Sequence, residues 1–413
     1  MCTNHVSFRS CQLSRSISLQ RNLLGGETSS QARCRGRARL IGRSRRIGTG
    51  RVRTGGGRDG HSGAPQVDAR AYILVDYQTG KVLAANNATE RMEPASLTKL
   101  MTAYIVFHEL KLGKLKLEDM VTVSEHAWRS EGSRTFIELG KPVSVNDLIL
   151  GMIVQSGNDA TIALAERIAG TEETFAQLMN STAKSLNMVG SHFENSSGLP
   201  SPQHYTTARD MSLLAIAMIR DYPQYYKYYS VREFEHNGIK QQNRNGLLEK
   251  DPSVDGLKTG HTDSAGFCLV TSAHREGMRL ISVVLGSTSM KARENASAAL
   301  LSYGFTFYDT KLIVKGGTVL ATTHVWKAAN PSAELGVKDD LYMTLARGQA
   351  DVKTSVDVTP KLIAPLGLDA DVGTLHVFNG KDALTTVALH PLKPVAAGGW
   401  WRRLIDTIRL WFA

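Results

Sequence analysis

Ser96 stands three residues before Lys99 in Ser96-Leu97-Thr98-Lys99; Ser156-Gly157-Asn158 begins 60 residues after Ser96, and Lys258-Thr259-Gly260 begins 102 residues after Ser156. A serine hydroxyl is a weak nucleophile until a base takes its proton, and an amine serves as that base only when its pKa is drawn toward neutrality. Positions i and i+3 share one face of a helix, so Ser96 and Lys99 are expected to meet. Burial and a second cation would both depress the lysine, and Lys258 is the expected cation. Ser156 and Asn158 leave the end of an expected helix, where an i, i+2 pair in a loop faces one cleft. Ser156 could relay a proton to a leaving amine, and Asn158 could hold Lys99 or a substrate amide. Lys258-Thr259-Gly260 reads as the start of an edge strand. There Lys258 and Thr259 suit a carboxylate, and Gly260 leaves room for a substrate backbone. The backbone N–H groups of Ser96 and His261 are the expected oxyanion donors. Each string alone is common, but their order and intervals describe an active-site serine hydrolase.

Elements able to position these groups are legible around them. Ala71–Asp76 and Lys81–Ala84 flank Gln78-Thr79-Gly80 as a β-hairpin. Pro94 precedes an apolar-periodic run from Leu97 to Leu110, which places Ser96 at a helix N-terminus. Helical patterns follow over Val145–Gln155, Asp159–Ala169, Thr174–Leu186 and Thr207–Ile219. Ala265–Ala273 and Met278–Leu285 then read as an antiparallel hairpin, with a helix over about Lys291–Tyr303 returning across the sheet. From Lys311 to Pro394 helical periodicity disappears. Leu375–Phe378 and Leu384–Leu389 around Asn379-Gly380 predict a hairpin in a small all-β domain, ended by Gly398-Gly399, which is expected to release the last segment.

The last segment is amphipathic. At helical spacing Trp400, Trp401, Leu404, Ile405, Ile408, Trp411 and Phe412 share one side, while Arg402, Arg403, Asp406 and Arg409 take the other and Leu410 is the misfit. Fourteen residues rise about 21 Å against a hydrocarbon core of about 30 Å, so this helix is expected to lie on a membrane surface and not to span it. Nowhere does the chain show the roughly 20 apolar residues of a spanning helix.

The chain has 413 residues and a net charge of +11. Residues 1–60 contain 13 Arg, no Lys, and only Glu27 and Asp59 as acids, so they carry the whole excess and the remainder balances. The basicity therefore belongs to a tail, and the body offers no electrostatic case for nucleic acid. Residues 1–66 read as a disordered or mis-assigned start. Their apolar stretches, such as Leu23-Leu24, are too short for a signal-peptide core, and Arg45-Arg46 lacks the apolar segment of a twin-Arg signal. Cys2, Cys11 and Cys34 lie in this tail, and Cys268 alone cannot form a disulfide within the body.

Competing chemistries fail at named positions. His108-Glu109 would need a second histidine where Leu112 stands, no Gly-Lys pair is followed by Ser or Thr, and no Gly-x-Ser-x-Gly elbow occurs. His192, His204 and His236 read as loop histidines. No metal and no cofactor is called for.

The three strings, with Glu93-Pro94-Ala95 before the first and Ser197-Gly198-Leu199 and Ala208-Arg209-Asp210-Met211 as added context, resemble the penicillin-recognising serine enzymes. Within them the chain is similar to the low-molecular-weight penicillin-binding proteins of the D-alanyl-D-alanine carboxypeptidase type. That resemblance implies an α+β fold. A β-lactamase/transpeptidase-like catalytic domain over 67–308 would be followed by a β-sandwich-like domain over 309–395 and an amphipathic anchor helix over 396–413. It implies that Ser96 attacks the carbonyl between two D-Ala residues of a peptidoglycan stem and expels the terminal D-Ala, that water hydrolyses the acyl-enzyme, and that β-lactams acylate Ser96. It further implies that Arg293 helps Lys258 and Thr259 hold the terminal carboxylate. The expected location is the periplasmic face of the inner membrane, with a signal peptide that this sequence does not show. Alternatives are a D,D-endopeptidase, a β-lactamase of the same superfamily and a non-catalytic cell-wall peptide-binding protein. A class A β-lactamase would carry a Glu three residues before a Leu-Asn pair, where this chain has Ala183 before Leu186-Asn187.

Overall fold

The computed structural model describes residues 63–348 and 352–412; most of the Arg-rich segment falls outside them. Strand β1 (Ala71–Asp76) turns back into β2 (Val82–Asn86), the turn held by the Asp76 carboxylate, which accepts the Thr79 N–H and hydroxyl, each at 2.8 Å. Three later strands, β3 (Val254–Thr262), β4 (Gly266–Arg275) and β5 (Met278–Ser287), complete an antiparallel sheet in the order β2-β1-β5-β4-β3. All six residues of β1 are buried because both sheet faces are covered. Side chains alternate between faces. Ile73, Val75, Val270 and Val283 therefore join one core, and Leu74, Leu269, Leu280 and Val284 the other.

The first core is shared with the helical lobe. Its axis is α1 (Lys99–Lys111), with ten of thirteen residues buried, as expected of a helix apolar on every side. Around it lie α2 (Asn158–Ala169), α3 (Glu172–Ser185) and α4 (Ala208–Asp221). Thr171 and Thr207 cap α3 and α4 by accepting the N–H groups of Thr174 and Asp210. The opposite face is covered by α5 (Met290–Phe307), whose Ala296, Leu300, Leu301 and Phe305 pack on β4 and β5.

Two expectations change here. The helix expected over Val145–Gln155 is α-helical only to Leu150, and Gly151–Gln155 form a wider π-helical turn. The edge strand begins at Val254, four residues before Lys258, so Lys258-Thr259-Gly260 lies inside it and not at its start. A hairpin of Glu233–His236 and Ile239–Gln242, absent from the sequence reading, precedes that strand.

The all-β region contains β6 (Tyr308–Val314), β7 (Ala321–Trp326), β8 (Ser332–Gly336), β9 (Leu341–Ala346), β10 (Val352–Val358), β11 (Leu362–Ile363), β12 (Gly373–Asn379) and β13 (Asp382–Pro391). β6 pairs with β9, and the others form a sheet in the order β10-β12-β13-β8-β7-β11. Val314, Val325, Leu335, Leu375, Val377 and Leu389 fill the core of this region. Asn379 and Asp382 close the β12–β13 hairpin around Gly380, whose φ is +60°. Last comes helix α6 (Trp400–Leu410). Among the described residues no helix is long and apolar enough to cross a membrane.

Candidate active site

Ser96 lies on a 3₁₀ turn, Ala95–Thr98, that runs directly into α1. The turn is tight. Ala95 has φ +47°, and two glycines pack against it. A Cβ on Gly260 would meet the Pro94 carbonyl oxygen at 3.0 Å and the Ala95 Cβ at 3.3 Å. The bare Gly260 thus lets β3 press against the turn bearing Ser96, while it also lines the cleft where room for substrate is expected.

Lys99, 1% exposed, donates from Nζ to Ser96 Oγ at 3.1 Å, to Asn158 Oδ1 at 2.7 Å and to the Ser197 carbonyl at 2.6 Å. Burial, and next the charge of Arg244, draw its pKa down to about 7, against the opposing pull of Asp159 and Glu172. Arg244 thus joins the expected Lys258, which repels Lys99 across the same cleft, as a depressing cation. Lys258 is itself 2% exposed and held well below the ordinary lysine range, first by burial and then by Lys99, Arg244 and Arg293.

Ser156 follows the π-helical turn with φ +65°, 2% exposed, and its Oγ is buried without a hydrogen-bond partner among the described residues. Asn158 opens α2 and donates from Nδ2 to the Glu131 carbonyl at 2.6 Å. Its neighbour Asp159, fully buried, anchors the overlying loop. The Asp159 carboxylate accepts the N–H groups of Thr135 at 2.8 Å, Phe136 at 2.9 Å, Ile137 at 3.3 Å and Ala160 at 2.9 Å.

Ser96, Ser156, Arg244, Thr259, Gly260, His261 and Arg293 line one cleft of about 630 Å³. Among the described residues Lys258 Nζ donates only to the Thr259 carbonyl, at 3.1 Å. His261 is exposed, its ring 4.0 Å from that of Phe267. Arg293, 3% exposed, ties the strands by donating from Nη1 to the Gly260 and Cys268 carbonyls at 3.1 and 3.4 Å. Arg244 and Asp159 escaped the sequence reading as site residues. Nothing local in Asn243-Arg244-Asn245 marks a cleft; the segment follows the Ile239–Gln242 strand, a hairpin that the sequence reading did not contain. Among the described residues no three His, Cys, Asp or Glu side chains converge as a metal site.

A half-buried hydroxyl held by a buried amine, beside a cation-rich cleft, suits nucleophilic attack on a substrate that ends in a carboxylate. Residues 59–289 match the family described as D-alanyl-D-alanine carboxypeptidase. The chain belongs to that family. Residues 308–397 match the C-terminal domain of penicillin-binding protein 5. D-alanyl-D-alanine carboxypeptidase DacA of Escherichia coli K12 is 43% identical over 359 residues, 85% of this chain and 89% of the relative. DacC of the same organism is 45% identical over 84% of this chain and 90% of its own length. The structure of penicillin-binding protein 5 from Haemophilus influenzae superposes with a TM-score of 0.78 at 39% identity, covering 81% of this chain and all of that one. Penicillin-binding protein D2 of Listeria monocytogenes in its ampicillin-bound form gives 0.54 at 31% identity, over 58% of this chain and all of its own. The α+β expectation agrees with this family.

Proposed function

We propose that this serine-type D-Ala-D-Ala carboxypeptidase works through Ser96, and the Ser96–Lys99 contact carries the reading. Neutral Lys99 accepts the Ser96 proton as Oγ attacks the carbonyl between the two D-Ala residues. The N–H groups of Ser96 and His261 receive the developing oxyanion. Collapse breaks the peptide bond as Ser156 hands its proton to the leaving D-Ala amine and takes the one held by Lys99, which leaves Lys99 neutral again; Lys99 then takes a proton from the attacking water and returns it to Ser96 Oγ as the shortened stem departs. Asn158 fixes the Lys99 ammonium, while Lys258, Thr259 and Arg293 receive the terminal carboxylate beside Gly260. β-Lactams would acylate the same hydroxyl.

Residues 67–308 are read as the catalytic domain, 309–395 as the second domain and 396–413 as a peripheral anchor on the periplasmic face of a membrane. The alternative of a class A β-lactamase loses ground at Ala183, a buried methyl where that chemistry needs a carboxylate.

The test is intact-mass spectrometry over minutes after adding benzylpenicillin, with Ser96→Ala alongside and D-Ala release from a pentapeptide assayed in parallel. One persistent adduct, absent from the variant, is expected. An adduct that disappears as the drug is consumed would favour a β-lactamase, and no adduct would overturn the role of Ser96.

A further inference from the structure

We infer that Asp406 clamps helix α6 across the end of the C-terminal domain, so that the chain meets an anionic bilayer at one fixed attitude; this deepens the membrane-anchor reading above and rests on it. Asp406 is 6% exposed, and its carboxylate accepts the Lys327 N–H at 2.7 Å. Lys327 sits in the β7–β8 turn with φ +59°. Three more bonds join this turn to the start of α6. Gly398 N–H donates to the Lys327 carbonyl at 2.7 Å, Ala329 N–H to the Ala396 carbonyl at 2.9 Å, and Arg402 Nη1 to the Ala329 carbonyl at 3.2 Å. A Cβ on Gly398 would lie 3.0 Å from the Ala328 carbonyl oxygen. Gly398 is thus a packed contact, which corrects the expectation that Gly398-Gly399 releases the segment.

The clamp also accounts for Leu410. At helical spacing it falls about 40° from Asp406, and it is half-buried on that docked side together with Thr407. The seven apolar side chains opposite remain exposed, from 47% at Ile405 to 87% at Phe412. A helix folded for its own domain would bury that face and show its carboxylate to water. Here the arrangement is reversed. Trp400, Trp401 and Trp411 suit the headgroup level of a bilayer. Arg403 and Arg409, both exposed, suit anionic lipid.

The attitude is passed on toward the cleft. Asp76, fully buried at the β1–β2 turn, accepts the Thr310 hydroxyl at 2.7 Å, and Lys81 Nζ donates to the Thr344 carbonyl at 3.0 Å. The catalytic sheet is thereby pinned to β6 and β9.

The test compares the full chain with Asp406→Asn and Asp406→Ala on phosphatidylcholine bilayers containing phosphatidylglycerol. Neutron reflectometry reads the attitude, and turnover is measured on a D-Ala-D-Ala peptide either free or tethered to lipid. All three proteins should bind vesicles and hydrolyse the free peptide equally. Asp406→Ala should broaden the protein density profile and slow the tethered substrate by about tenfold, the factor carried by one buried charge-assisted hydrogen bond. Asp406→Asn should lie between, because its amide oxygen can still accept the Lys327 N–H. Gly398→Ala, which strains the other end of the clamp, should reproduce Asp406→Ala and decides the matter if that variant loses free-peptide turnover. Identical profiles and tethered rates across the set would overturn the clamp. Failure of the unaltered chain to bind vesicles would instead overturn the membrane reading.

Discussion

The α-carbon of Gly198 faces the Ala95 carbonyl so closely that a Cβ built there would lie 1.8 Å from its oxygen. Gly198 also has φ +90°, which only glycine adopts without strain. The preceding Ser197 carbonyl receives Lys99 Nζ, so one chain segment both backs the Ser96 turn and orients its neighbouring amine.

Gly198→Ala should therefore cost stability and chemistry together. The obstructing atoms are backbone and cannot move aside as a side chain would. A loss of about 3 kcal/mol or more is expected, at the upper end of overpacking. Urea denaturation and the rate of benzylpenicillin acylation check it; an unchanged acylation rate would contradict the coupling.

Much of this arrangement was legible because it is local. The β1–β2 turn chemistry, the apolar period of α1 and the Ser96–Lys99 spacing each lie within a few residues. What escaped depends on distant contacts. The strand containing Lys258 begins earlier because Val254 pairs with Ala273 on β4, a partner that no local pattern reveals. Arg244 gains meaning only where its charge reaches Lys99, and Gly260 only where β3 meets Pro94 and Ala95. Gly398 read as a hinge because a Gly-Gly pair usually loosens a chain; here it admits a close backbone approach.

Asp159→Asn should loosen the loop above the cleft while leaving the Ser96 turn in place. Each carboxylate oxygen serves two backbone N–H groups, and an amide would present N–H to two of those donors. The expected cost is about 2–5 kcal/mol. Hydrogen exchange at Thr135, Phe136 and Ile137 should accelerate together. Unchanged protection there would show that another contact holds the loop.

His204 should make the protein less stable in mild acid. Its Nδ1 accepts the Glu194 N–H at 3.1 Å, which places the ring proton on Nε2, 2.8 Å from Thr98 Oγ1. Burial draws the folded pKa from 6.5 to about 4. The unfolded chain therefore binds this proton first, and stability is lost as pH falls from about 6.5 to about 4, at up to about 1.4 kcal/mol per unit. His204→Gln should flatten that part of the urea stability profile relative to the unaltered chain. Parallel profiles would assign the acid sensitivity elsewhere.

Acylation should rise with pH through the Lys99 pKa of about 7, because only the neutral amine can take the Ser96 proton. Below that value the rate should fall about tenfold per unit as the amine becomes protonated. Removing the repelling charge with Arg244→Gln should move the midpoint upward, whereas Arg244→Lys should restore part of the depression. A role for Arg244 confined to holding substrate would raise KM and leave the midpoint of kcat unmoved. Second-order acylation rates with benzylpenicillin across pH 5 to 9, together with kcat for D-Ala release, separate the two. A midpoint unchanged in Arg244→Gln would mean that burial and the remaining charges set the basicity of Lys99, and that Arg244 serves the carboxylate rather than the base.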